Sequence, residues 1–312
     1  MTNTGSTEPL QRDERLVVVG YDGSKASHAA LAWAVADLDG AHGKLFVVSV
    51  VDDTVPQDRE RSSQQLVDEV TDDLLTIAAT LTRDHPNLRI VTDGTRGDPV
   101  DVLRQYSNPT TCVIVGAARH RGGSLHRPLF HSVGERVAAA GRGPVVIVQG
   151  PKGPASGIVV GVADTQDSLA AVEVAAEYAA RRRETLILVH AWQEPARTTE
   201  LEIDDPGYVD WLRGRHRAFV NRVEKAVVAA HPTLHVVAHL EGDNAEDALL
   251  SWGKSASLVV LGSRRSTPLG WFLPGSLTHR LINDAEFAVA LVPPDTTVST
   301  TAARRLAGVG RL

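Results

Sequence analysis

The apolar run Leu258-Val259-Val260-Leu261 stops at Gly262, and thirteen positions later Gly275-Ser276 opens a helical pattern from Leu277 to Leu281. A buried strand, a glycine turn, a basic loop and a helix start, in that order, build an anion site. The first N–H groups of a helix have no internal partner and sit at the positive end of its dipole. The stretch from Cys112 to Val137 carries the same order with changes. Gly116 ends its strand and Ser132 starts its helix, but His131 stands where the other copy has Gly275.

Arg119 and Arg265 occupy matching places in the two loops. A guanidinium offers two parallel donors to a phosphate, so either could clamp one. Either could equally fill the site and block it, or stand in solvent as loop arginines usually do. The first loop is rich in bases (Arg119, His120, Arg121, His126, Arg127 and His131), which reads as an anion site or as a solvated basic loop. These spacings match no metal motif. Asp22, just past the end of the first strand, could accept from a ribose hydroxyl or cap the next helix. His190 ends a strand pattern and reads as an interior histidine. There is no glycine-lysine phosphate loop, no nucleophile–base pair and no carboxylate pair at recognisable spacing. The expectation is a protein that is not an enzyme, or at most a slow ATPase.

The elements that must hold these loops are written twice. Gly20 maps to Gly161, Ser27 to Ser168 and Val50 to Ala191, each with a shift of 141 (161 − 20). His85-Pro86 maps to His231-Pro232 and Arg119 to Arg265 with a shift of 146, and Ser132 to Ser276 with a shift of 144. Periodicity predicts strands at Leu16–Val19, Leu45–Val51, Leu88–Val91, Thr111–Val115 and Val145–Val148. Between them, Leu31, Ala34, Val35 and Leu38 mark one helix face, with Ser24 as its cap, and Val67, Val70, Leu74, Ile77 and Leu81 mark a longer one. Pro99–Tyr106 and Ser132–Ala140 read as short helices. The second half repeats the order, with Phe219, Val220, Val223 and Val227 on its long helix. Apolar strands alternating with amphipathic helices make a parallel sheet covered on both faces, with ligands beyond the carboxyl ends of the strands. Those places are Gly20–Ser24 and Gly116 onward, and Gly161–Thr165 and Gly262 onward.

Composition excludes other classes. Of 312 residues, 43% are apolar and 22% charged, enough for ordinary cores, and the length suggests two domains. A formal charge of −6 argues against a nucleic-acid partner. No apolar run is long enough to span a membrane. Cys112 is the sole cysteine, so no disulfide forms within the chain and a cytoplasmic setting is expected, with Cys112 as a small buried filler. Residues 1–14 and 295–312 read as floppy tails, 15–150 and 157–294 as domains, and the Gly/Pro-rich 151–156 as a linker.

"VVGYDGS", Val18 to Ser24, together with the later glycine loops duplicated in register, resembles the universal stress protein family in its tandem form. The resemblance implies two doubly wound α/β domains, each a five-stranded parallel sheet of order 3-2-1-4-5. It also implies adenine-nucleotide binding in a stress-response regulator. ATP, or else ADP or AMP, would bind in both halves or in one only, with no metal beyond the nucleotide's magnesium. Carried over, the matching site residues are Asp22, Val50, Gly116 and Ser132 in the first half and Ala191, Gly262, Gly275 and Ser276 in the second. Gly161 and Leu277 join them as candidate binding residues, as do Arg119 and Arg265, which stand where the family has its second glycine. The second half departs from the pattern at Ala163, where the family has aspartate, with Asp164 one place late. Its loop keeps the family spacing, so Gly262→Asp with Ser276→Ala is expected to weaken ATP binding more than Gly116→Asp with Ser132→Ala. The family pairs domains through their last strands, so Val145–Val148 and Ala288–Val292 could pair within one chain as a pseudo-dimer, with further homodimer formation and a regulatory protein as partners. The rival readings are a protein-interaction module with decayed sites, and a slow ATPase or nucleotide-using transferase.

Overall fold

A computed structural model describes residues 15–38, 43–53, 62–117, 132–149, 155–193, 206–263 and 276–296. The tails, the linker core 151–154 and the two loops 118–131 and 264–275 lie outside the described residues, and with them Arg119, Arg265 and Gly275.

The first half runs β1 (Arg15–Gly20), α1 (Lys25–Leu38), β2 (Gly43–Asp52), α2 (Ser63–Asp84), β3 (Arg89–Gly97), α3 (Pro99–Tyr106), β4 (Cys112–Gly116), α4 (Val133–Ala140) and β5 (Val145–Val148). The second repeats it as β6 (Ile158–Gly161), α5 (Gln166–Arg182), β7 (Leu186–Ala191), α6 (Pro206–Ala230), β8 (Val236–Glu241), α7 (Ala245–Gly253), β9 (Leu258–Gly262), α8 (Ser276–Asp284) and β10 (Ala288–Val292). Polar side chains start these helices. Ser62 and Gln65 form a reciprocal capping box for α2, and Asp98 caps α3 ahead of Pro99.

All strands join one sheet of order β3-β2-β1-β4-β5-β10-β9-β6-β7-β8. Within each half the order is 3-2-1-4-5 and the pairing parallel, as expected for doubly wound domains. The two five-stranded sheets are not separate, however. β5 and β10 pair antiparallel, Ile147 opposite Val289 and Val145 opposite Leu291, so the whole is a single mixed sheet. The intramolecular pairing expected of the last strands is therefore present. The antiparallel join also turns the halves head to tail, so their strand ends open at opposite rims of the sheet.

Successive side chains of a strand point to opposite faces. Accordingly Val17 and Val19 enter the core layer with α1 and α2, while Val18 enters the one with α3 and α4. The third strand is longer than its apolar run predicts. It pairs with β2 from Arg89 through Gly97, although Thr92 to Gly97 is polar and holds two glycines. Among the described residues it lies at the end of the sheet, where one flank meets no neighbour strand, so apolar patterning is not required of it.

The halves also meet through α1 and α5. Asp37, fully buried, accepts from Arg15 (2.7 Å), Arg181 (3.2 Å) and Arg182 (3.2 Å). Arg181 and Arg15 lie over the Tyr178 ring and Arg182 over Trp33. Cys112 is buried beside the Tyr178 hydroxyl, and burial pushes its thiol above the ordinary range, which fits a filler rather than a nucleophile.

Candidate nucleotide cleft

β1 ends at Gly20 and the chain turns through Tyr21, Asp22 and Gly23 into α1. The turn needs Gly23 at φ 73°, a left-handed conformation that glycine adopts without a side-chain clash. The Ser24 amide donates to Asp22 Oδ1 at 3.0 Å, and the Ser27 amide donates to the Ser24 hydroxyl at 3.1 Å. Ser24 therefore caps α1, as its sequence position predicts, and Asp22 stabilises the turn before it. Of the two roles open to Asp22, capping the helix belongs to Ser24. Burial alone would raise the Asp22 pKa, but hydrogen bonds from Ser24 and Ser27 outweigh it and hold the carboxyl below its usual range. At neutral pH Asp22 is an anionic acceptor on a partly open turn.

The end of β4 presses against the first turn of α1. A Cβ on Gly116 would stand 2.3 Å from the carbonyl carbon of Ala26, and one on Gly262 2.5 Å from that of Asp167. Both glycines are required by helix–strand packing, whatever ligand is present. The close approach brings the two strand ends together. A cleft of about 140 Å³ lies there, lined by Asp22, Val50, Gly116 and Val133, with Gly20 and Leu103 among its inner wall. Its far side is the start of α4. The Ser132 hydroxyl accepts from the Glu135 amide at 3.2 Å, and the Glu135 carboxylate accepts from the Ser132 amide at 2.7 Å. That box orders the helix N-terminus at the cleft.

Four of the residues singled out in the first half thus converge: Asp22, Val50 and Gly116 line the cleft, and Ser132 starts the helix that contributes Val133. Tyr21, Ser27, Pro99 and Leu103 also line it and carry no motif. Ser27 had a signal all the same, since it repeats as Ser168.

The second half keeps the frame and alters the turn. Gly161 ends β6 against Leu249 and Leu261, and Ala191 ends β7 beside Glu241. Ala163 stands at the place of Asp22. Its amide donates to Ser168 Oγ at 2.7 Å, and that hydroxyl donates to the Gly161 carbonyl at 3.2 Å. The turn is closed on itself by Ser168, with no carboxylate at the aspartate's position. Ser276 and Leu277 begin α8, and their side chains lie outside the description.

His190 is an interior histidine, as read. Its Nδ1–H donates to the Val162 carbonyl at 2.7 Å, so its Nε2 accepts from His216 Nδ1–H at 2.8 Å. Burial lowers the pKa of both rings. Among the described residues no group of three or more His, Cys, Asp or Glu could hold a metal ion, and no helix is long and apolar enough to cross a membrane.

A duplicated, doubly wound α/β chain with paired strand-end turns defines a tandem member of the open-sheet class whose ligands bind at the switch point. The chain belongs to the universal stress protein family, which it matches over residues 15–149 and again over 156–293. It is 25% identical over 315 residues to one universal stress protein of Mycobacterium tuberculosis, covering 90% of this chain and 96% of that one. A second from the same organism is 26% identical over 297 residues, covering 89% and 97%. Among solved structures, a universal stress protein from Archaeoglobus fulgidus has the same fold with TM-score 0.68 at 18% identity, over 89% of this chain and 96% of the other.

Proposed function

We propose that this protein is a stress-response regulator that binds an adenine nucleotide, ATP or its di- or monophosphate, in the first-half cleft. One observation carries the reading: an ionised strand-end carboxylate, Asp22, and the ordered N-terminus of α4 line a single cleft across Gly116. A carboxylate accepts ribose hydroxyls and a helix N-terminus favours phosphate oxygens. The family resemblance supplies the adenine nucleotide as the ligand to expect.

The proposal favours the first half, against the order expected from loop spacing alone. In the second half the aspartate is absent and Ser168 holds the turn closed. The role in this reading is binding rather than turnover. Calorimetric titration with ATP is the test. Asp22→Ala should weaken binding by about tenfold, the worth of one lost charge-assisted hydrogen bond, while Ser168→Ala leaves it nearly unchanged. No heat at millimolar ATP from the folded wild-type chain would end the reading.

A further inference from the structure

The turn after β1 also walls a second groove, on the opposite face of the sheet, between α1 and α2. It has a volume of about 400 Å³ and is lined by Tyr21, Asp22, His28, Ser49, Asp73 and Ile77 among others. That size lies within the range of small-molecule sites. Its floor is fixed. The His28 Nδ1–H donates to the Ser24 carbonyl at 2.9 Å, so His28 Nε2 accepts from the Tyr21 hydroxyl, also at 2.9 Å. The two rings meet edge to face at 5.1 Å.

The chemistry of the walls is one-sided. Burial first, then the carboxylates of Asp73 and Asp22, hold the Tyr21 phenol above its ordinary range, so both carboxylates act on the groove. Among the described residues no lysine or arginine lines it, and Val70, Leu74 and Ile77 supply an apolar wall. Two carboxylates repel a phosphate, so this is not an extension of the nucleotide cleft. They suit a cation, and the π-face and aliphatic wall suit an apolar body attached to it.

The duplication supplies the contrast. With the shifts of 141 and 146 established above, Tyr21 becomes Val162, Asp22 Ala163, His28 Leu169, Ser49 His190, Val70 His216 and Asp73 Phe219. There both carboxylates are gone. Phe219 is fully buried, and its ring packs on His190, which is bonded to His216. The same scaffold is filled in one half and open and acidic in the other.

We propose that the groove between α1 and α2 of the first half binds a small primary amine with an apolar body, its ammonium at Asp73 and Asp22 and its body against Tyr21 and Ile77. The inference stands without the nucleotide reading, because the probe is tested in the absence of nucleotide.

The experiment is titration of the full chain with benzylamine, using benzyl alcohol as the neutral isostere and phenylacetate as the anion. Benzylamine should bind, with its shifts in an NMR spectrum centred on Tyr21 and His28, and the other two should not. Asp73 is exposed, so Asp73→Asn leaves the fold intact; it should weaken benzylamine about tenfold. A second variant, Ile77→Trp, should abolish binding by filling the groove. Equal binding of benzyl alcohol, undiminished binding in Asp73→Asn, or no binding of benzylamine at millimolar concentration would each overturn the proposal.

Discussion

The carboxylate of Asp37, on the first half's α1, lies 3.2 Å from Arg182 Nε on the second half's α5, and the aspartate side chain has no solvent exposure. With Arg15 and Arg181 it forms an ion cluster of three cations on one anion. Burial works against the charged carboxylate, yet the three guanidiniums outweigh it and lower the Asp37 pKa. The seam between the halves is thus electrostatic at this point and not only a strand pairing.

Removing one member of a buried ion cluster leaves the rest uncompensated. Asp37→Asn should destabilise the chain by about 3–5 kcal/mol, seen as an earlier denaturant midpoint. Because the folded pKa lies below the unfolded value, the cluster's contribution is full above the ordinary aspartate range. It fades only as pH falls through the depressed value. Wild type and variant should therefore converge in strong acid and differ at neutral pH.

Gly116→Ala and Gly262→Ala each put a Cβ within 2.5 Å of backbone in the facing helix. Each should cost about 1–3 kcal/mol by overpacking. The two costs should be similar in thermal melts of the variants, because the packing is shared by both halves. If only Gly116→Ala also lowers ATP affinity, the loss reports the ligand cleft and not the fold.

Glu173, buried on α5, has its carboxyl raised from 4.5 to about 7 by burial first and then by Glu177. A raised folded pKa means stability that is full at low pH and lost as pH rises toward 7. Glu173→Gln should remove that loss, raising stability at pH 8 by about 2 kcal/mol and changing little at pH 5. Melting curves at the two pH values decide it.

The His190–His216 pair acts in the other direction. Both folded pKa values lie below the ordinary 6.5, so the pair favours the folded chain above that value and destabilises it as pH falls below. In His216→Asn the side-chain amide can still donate to His190 Nε2 but does not titrate. The fall in melting temperature between pH 7 and pH 5 should shrink by roughly half, since one of two titrating rings remains. Built on Glu173→Gln, the test is free of the opposing carboxylate.

Repetition made most of the fold legible. A shift that carries Gly20 to Gly161 and Val50 to Ala191 reports two copies of one domain, and the family resemblance supplied the expectation that Val145–Val148 and Ala288–Val292 form the seam. The Asp22 turn and Ser132 could be read because strand ends and helix starts have chemistry that depends on local order. Asp37 could not. Its partners Arg181 and Arg182 are 144 and 145 residues away, and an aspartate near a helix end looks like an ordinary surface residue. His216 was hidden for the same reason, as its face is set by a strand 26 residues earlier. The end of β3 was missed because polar residues at a sheet margin lack the alternation that marks a strand.

The pairing of Ile147 with Val289 has one more consequence. By joining β5 to β10 the chain spends internally the strand margin through which a single domain could recruit a copy of itself. What is left at the extremities are β3 and β8, with Arg89, Arg96 and Glu241 along them, and charged margins resist strand addition. Among the described residues, that leaves the helical faces as the surfaces from which a larger assembly could be built.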